Sequence, residues 1–266
     1  MAQQTQVPRV ALAFEPFVER FPTVDSLAAS SRADVLRAWA GLGYNRRAVA
    51  LHEAARAIAR KHAGHVPRDI EALRRLPGVG PYTAAAVASI AFGRSVAAID
   101  TNVRRVIARA ARGVETDGVA SAEIHRLAQA WLDPRHPGAW NQAVMDLGRE
   151  VCRPLAPRCG ECPLSPSCEF VAAGRSARRS RDRAPAFEGS SRQARGAVIR
   201  ILRDRATATP RTLAGSTGIE LRRIVSAVEG LVREGLVERT GNGRLRLHAG
   251  DSVPSSRRRI ALSESG

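Results

Sequence analysis

Lysine is nearly missing from this chain. Of its 42 Lys and Arg residues only Lys61 is a lysine, and every other basic side chain is an arginine. A mechanism that forms a Schiff base through a lysine amine therefore has a single candidate. Long apolar runs are missing too: the longest, around Ala84 to Phe92, is about half of the ~18 to 20 residues that a membrane-spanning helix needs. No charged-then-apolar signal segment opens the chain, so a soluble, cytoplasmic protein without a membrane partner is expected. Cysteine is scarce, with four residues confined to positions 152–168. That is too local for a secreted disulfide framework and too clustered for scattered core thiols.

What is abundant is positive charge. The 42 basic residues face 25 acidic ones, a formal net charge of +17, which points to a polyanionic partner and most often to nucleic acid. The 266 residues suffice for one large domain or two to three small ones at about 150 residues each. Up to Cys168 the apolar spacing predicts helices: Val24 to Trp39 with a start at Ser26, Arg46 to Arg60, Asp69 to Leu76, Pro81 to Phe92, Thr101 to Arg109, Ser121 to Leu132, and Ala139 to Val151. The composition changes at Gly174, where Arg175, Arg178, Arg179, Arg181 and Arg183 read as a flexible basic linker. Beyond it, helices are expected at Gln193 to Leu202, Arg211 to Ala214 and Ile219 to Glu234. Alternating strands then flank the turn signal Asn242-Gly243. Three helices and a hairpin make a winged-helix pattern. The expected organisation is 1–93 helical, 94–173 helical with the cysteines, 174–192 linker, 193–250 winged-helix-like, and 251–266 a disordered tail.

The cysteines follow the spacing Cys152-x6-Cys159-x2-Cys162-x5-Cys168, with Pro154, Pro157, Pro163 and Pro166 stiffening the loop. Four thiolates so close together can hold zinc or an iron–sulfur cluster. Structural zinc sites usually pair two short Cys-x-Cys knuckles, and one is present here. The pattern resembles the four-iron, four-sulfur loop of the endonuclease III superfamily of DNA glycosylases. Zinc and uncoordinated thiols are the alternatives.

Upstream, Leu76-Pro77-Gly78-Val79-Gly80 lies between two helices, with its hairpin at 77–80. Gly78 and Gly80 let the backbone approach a phosphate, and the amides opening the next helix favour an anion. Contacts of this kind position DNA without reading its sequence. About twenty residues on stands Asp100-Thr101-Asn102-Val103-Arg104-Arg105-Val106, where an aspartate at a helix start is by itself an ordinary cap.

Hairpin, aspartate and cysteine loop in this order resemble the helix-hairpin-helix DNA glycosylases, and within them the MutY-type adenine DNA glycosylases. The matching segments are Gln3-Gln4-Thr5-Gln6-Val7, Gly41-Leu42-Gly43-Tyr44, Leu76 to Ala84, Asp100 to Val106, and Asn141 to Gly148. The resemblance implies an all-α helix-hairpin-helix core with a [4Fe-4S] cluster on Cys152, Cys159, Cys162 and Cys168, followed by the winged-helix-like module. It implies a monomer acting on duplex DNA that carries adenine opposite 8-oxoguanine or guanine. Asp100 would stabilise the oxocarbenium-like sugar and help supply water, oriented by Asn102, while Tyr82 supports the aspartate or the sugar. Gln142 would contact the flipped adenine. Gln4, Thr5, Leu42 and Tyr44 would fill the gap and touch the opposing base, although Leu42 and Tyr44 also suit a core-facing loop. Bifunctional relatives carry a lysine in the second helix of the hairpin motif, where this chain has Tyr82, so monofunctional hydrolysis is implied. In that family a glutamate just before the Gln-Gln-Thr segment protonates the base. Met1 stands almost on that segment here, so the glutamate falls outside the chain and weak activity is expected. A pyrimidine-removing glycosylase and an inert cluster-bearing DNA-binding protein are the competing readings.

Overall fold

A computed structural model of the chain describes residues 1, 3, 5, 7–175 and 187–250. The described residues fall into two compact units, one made of those within 1–65 together with 187–250 and one made of 66–175. The larger part of the expected arginine linker and all of the expected tail from 251 lie outside the described residues.

The first unit begins with helices α1 (Val7–Arg20), α2 (Val24–Ala29), α3 (Arg32–Ala38) and α4 (Arg46–Lys61). The single helix expected over Val24 to Trp39 is two, because local side chains offer the backbone a fresh start. Thr23, rather than Ser26, caps α2: Thr23 Oγ1 accepts the Ser26 N–H and Ser26 Oγ accepts the Thr23 N–H, each at 3.0 Å. Ser31 Oγ then accepts the Asp34 N–H at 3.0 Å and opens α3. The same unit also contains α11 (Ser191–Asp204), α12 (Pro210–Thr217), α13 (Leu221–Arg233) and the strands β1 (Val237–Arg239) and β2 (Leu245–Leu247); α5 to α10 belong to the second unit. The strands pair antiparallel with Val237 opposite Leu247.

Phe17, Leu36 and Trp39 share one buried core with Val198, Leu202 and Leu231. Arg32 adds polar joints: its N–H donates to the Ala249 carbonyl at 2.9 Å and its Nη1 to the Gly235 carbonyl at 3.0 Å. Packing thus groups the C-terminal helices with residues 1–65, otherwise than the division at 93 and 193 expected from the sequence. Apolar faces that look like separate small cores in the sequence are completed by each other.

The second unit holds α5 (Ile70–Arg74), α6 (Pro81–Phe92), α7 (Thr101–Arg112), α8 (Ser121–Trp131), α9 (Pro137–Asp146) and α10 (Glu169–Ala172). Helix α7 is its axis. Val103, Ile107 and Ala108 on α7 pack against Ile124 and Ala128 on α8, and α7 also buries two arginines, Arg105 and Arg109. Helix α9 stops at Asp146 instead of Val151, and residues Leu147–Val151 continue as a wider π-type turn. Gly148 there leaves no room for a side chain, since an added Cβ would stand 2.7 Å from Asn102 Cβ. Such widened turns are frequent at functional sites. None of the helices among the described residues is long and apolar enough to cross a membrane.

Candidate active site and cysteine pocket

The hairpin motif forms as its residues require. Asp69 caps α5 by accepting the Ala72 N–H at 2.8 Å, Gly78 turns the chain at φ +74°, and Pro81 opens α6. That φ suits glycine and penalises any residue with a Cβ. The space over Gly80 is open, which leaves its backbone accessible at the N-terminus of a twelve-residue helix.

Asp100 is the N-cap of α7. Its Oδ1 accepts the Asn102 N–H at 2.8 Å and the Val103 N–H at 2.7 Å, and its Oδ2 accepts from Asn102 Nδ2 at 3.0 Å. Three donors fix the carboxylate's plane and leave one lone pair of Oδ2 uncommitted. Tyr82, on the first turn of α6, is half-buried and feels the Asp100 charge. Burial, reinforced by that charge, pushes its phenol pKa up, so the group stays a neutral O–H, donating to Met145 Sδ at 3.1 Å. Asp100 and Asn102 are thus hydrogen-bonded to each other, and Tyr82 lies near enough to feel the aspartate's charge. Gln142 is exposed on α9, one residue from a different and unexpected participant.

That participant is Asn141, fully buried. Its Oδ1 accepts the Ala98 N–H at 2.7 Å, and its Nδ2 donates to Ser89 Oγ at 3.0 Å and to the Val96 and Pro137 carbonyls at 2.9 Å each. The extended connection from α6 to Asp100 thus receives from a side chain the partners that a neighbouring strand would otherwise give. Gln129 helps, with its Oε1 accepting the Ala97 N–H at 3.1 Å. We expect Asn141→Leu to lower stability by about 3 kcal/mol, because buried backbone groups lose their partners at about 1–3 kcal/mol each. Chemical denaturation measures it, and a loss below about 1 kcal/mol contradicts the clamp.

Arg105 extends the network on the other side of Asn102. Its Nη2 donates to Asn102 Oδ1 at 2.9 Å and to the Gly148 carbonyl at 2.6 Å, and its Nε donates to the Cys152 carbonyl at 2.7 Å. The cap carboxylate is thereby connected, through two side chains, to the first residue of the cysteine loop.

All four cysteines line one small pocket of about 20 Å³ together with Arg109 and Phe170. Arg109 is 2% exposed. Its Nη1 donates to Cys152 Sγ at 3.7 Å and to the Arg153 carbonyl at 2.8 Å, its Nη2 pairs with Glu115 Oε1 at 2.8 Å, and its guanidinium lies 4.9 Å from the centre of the Phe170 ring. Burial pushes the Cys152 thiol pKa up, while Arg109 and then Arg105 pull it down. Four soft donors around a small pocket, with a buried guanidinium aimed at one of them, suit an anionic metal–thiolate group. Among the described residues no three His, Cys, Asp or Glu side chains form a group set for a metal ion.

In the first unit, Thr5 Oγ1 donates to the Leu42 carbonyl at 3.0 Å. Arg47 holds the same corner: its Nη2 donates to Thr5 Oγ1 at 2.6 Å and to the Leu42 carbonyl at 3.1 Å, and its Nη1 to the Met1 carbonyl at 2.7 Å. The guanidinium also stacks near Trp39 and Tyr44. Leu42 is 2% exposed and belongs to the core, whereas Tyr44 is 52% exposed and at φ +45°. Only the tyrosine of this pair presents a surface. Gln4 lies outside the described residues.

A family model described as the HhH-GPD superfamily of base excision DNA repair proteins matches residues 1–134. The chain belongs to this superfamily. An adenine DNA glycosylase of Mycolicibacterium smegmatis is 43% identical over 251 residues, spanning 93% of this chain and 84% of that protein. The human adenine DNA glycosylase is 44% identical over 172 residues, 63% of this chain and 31% of that protein. Among solved structures, a thermostable thymine-DNA glycosylase superposes with a TM-score of 0.60 at 28% identity, over 64% of this chain and 80% of that one. A non-covalent endonuclease III–DNA complex superposes at 0.57 and 25% identity, over 65% and 80%. The superfamily's members thus share the helical fold, and Asp100 and the hairpin glycines of this chain stand inside the matched residues.

Proposed function

We propose that this HhH-GPD protein is a monofunctional adenine DNA glycosylase acting on adenine opposite 8-oxoguanine or guanine in duplex DNA. The observation that carries the reading is the Asp100–Asn102–Tyr82 constellation, in a chain 43% identical to adenine DNA glycosylases over 93% of its length. The flipped base leaves the stack at a cost of a few kcal/mol, least at a mismatch. Breaking the C1′–N9 bond puts positive charge on the sugar, and the fixed Asp100 carboxylate stabilises it as in other glycoside cleavages. Water then adds across the broken bond: its hydroxyl goes to C1′ and its proton balances the departing adenine. Tyr82 holds a neutral O–H where bifunctional relatives have an amine, and the single lysine, Lys61, is exposed at the end of α4. No covalent sugar–enzyme intermediate is expected.

The single-turnover assay uses a duplex with adenine opposite 8-oxoguanine, with thymine-mismatch and oxidised-pyrimidine duplexes alongside. Adenine release with strand breaks appearing only after alkali supports the reading. Release of pyrimidines alone, or direct strand cleavage, overturns it.

We further read the cysteine pocket as the seat of a [4Fe-4S] cluster held by Cys152, Cys159, Cys162 and Cys168. When bound, the cluster supplies a rigid covalent cross-link to a loop with little regular structure, and Arg105 and Arg109 balance its charge. Purified protein is expected to carry iron and acid-labile sulfide at about four each per chain; zinc alone refutes the assignment. The C-terminal helices and hairpin are read as a winged-helix module, supported by the bridge of Ala208, between α11 and α12, to Leu245 on β2.

A further inference from the structure

Outside the sites already described, a basic groove of about 530 Å³ lies between α11 and α13. Four arginines line it, Arg195, Arg222, Arg223 and Arg233, with Glu234 as its one carboxylate. That carboxylate is already shared, at 2.6 Å from Arg195 Nη2 and 3.8 Å from Arg46 Nε. Arg195 crosses directly over Gly230, where an added Cβ would meet its Nη1 at 2.9 Å. Arg223 is braced by the Ser190 carbonyl at 3.2 Å and Gln193 Oε1 at 3.3 Å. Two guanidinium groups are thus held in place on the floor, while two others stand at the rim: Arg222, whose side chain is 82% exposed, and the exposed Arg233. Glu229 is also exposed on α13 but does not line the groove.

We propose that this groove is a docking surface for the phosphate backbone of duplex DNA, distinct from the site of base removal. Fixed arginines suit phosphate because their forked N–H groups bind its oxygens bidentately and lose little freedom in doing so. Arg222 and Arg233 are eleven residues apart on one helix, about 16 Å at 1.5 Å per residue, which matches the axial rise of roughly five phosphates of one strand. Glu234 pairs with Arg195, and Glu220 pairs with Arg222 at the rim, 2.7 Å from its Nε; with four arginines lining the groove and one lining carboxylate, the groove still keeps an excess of positive charge. Duplex DNA is the polyanion that a base excision repair protein meets, and the inference rests on the proposed function only in taking DNA as the partner.

The test is fluorescence anisotropy of the full chain on a matched, undamaged duplex across a salt series. The double variant Arg222→Ala/Arg233→Ala is compared with Arg200→Ala/Arg211→Ala, two exposed arginines on α11 and α12 outside the groove. Losing two phosphate contacts should lower the slope of log K against log salt by about 1.8 and weaken binding at least about tenfold. The pair Arg222→Lys/Arg233→Lys, which keeps the charges, should retain the slope. Unchanged binding in the alanine pair, or an equal loss in the control pair, overturns the proposal. A matched duplex needs no adenine release, so a protein that fails in the glycosylase assay but shows this loss disproves the proposed function and leaves the groove standing.

Discussion

Asp100→Asn should reduce base release by about 10³-fold or more while leaving the protein folded and bound to DNA. Asparagine has the same shape and caps helices as well as aspartate does. Its Oδ1 can still accept the Asn102 and Val103 N–H groups that Asp100 accepts at 2.8 and 2.7 Å, so α7 keeps its start. What disappears is the negative charge beside the sugar. The replaced oxygen also becomes a donor facing Asn102 Nδ2, now 3.0 Å from Asp100 Oδ2, which turns a hydrogen bond into a repulsion. Binding should hold or tighten, since a charge that repels phosphate is gone. Single-turnover release under enzyme excess, read with duplex affinity and melting temperature, separates these effects. A rate within tenfold of the parent removes Asp100 from the chemistry.

Asp100 was legible in the sequence because its signal is local. A cap aspartate, a hairpin and a cysteine loop recur at fixed separations, and each is built from near neighbours in the chain. The cysteines are brought to one pocket by the same short-range constraints. Asn102 was named with it, but the residues behind these two were not legible. With 42 basic residues in the chain, nothing local distinguishes Arg105 and Arg109, which are buried, from arginines that cover the surface. Their burial follows from α7 being surrounded on all sides, a tertiary fact. Asn141 sits beside Gln142 in a segment that points to function, yet its role comes from partners at positions 89, 96 and 98. The early end of α9 comes from the tight approach of Gly148 to Asn102, which periodicity does not encode. Helix boundaries and the grouping of 187–250 with 1–65 were missed for the same reason: cores close between segments distant in sequence.

Arg105→Leu is expected to have the second large effect, on stability and rate together. Leucine fills much of the volume but strands Asn102 Oδ1 and the carbonyls of Gly148 and Cys152, now reached at 2.9, 2.6 and 2.7 Å. Unsatisfied buried acceptors cost about 1–3 kcal/mol each. Incomplete additivity and partial rehydration hold the sum to about 3–5 kcal/mol. In a unit of this size each kilocalorie moves the melting temperature by about 4–8 °C, so a fall of at least about 12 °C is expected. The rate should fall as well, because Asn102 loses the group that turns its amide toward Asp100. Arg105→Lys keeps the charge but lacks the fork that reaches several acceptors at once, so it should recover only part of both losses. The decisive measurement is a cycle with Asn102→Ala. If Arg105 acts on the aspartate through Asn102, the double variant's loss of rate falls short of the product of the single losses by about tenfold, a coupling of about 1.4 kcal/mol. Simple multiplication of the two losses would mean that Arg105 supports the fold alone, and that the route from the cysteine loop to Asp100 carries structure without positioning.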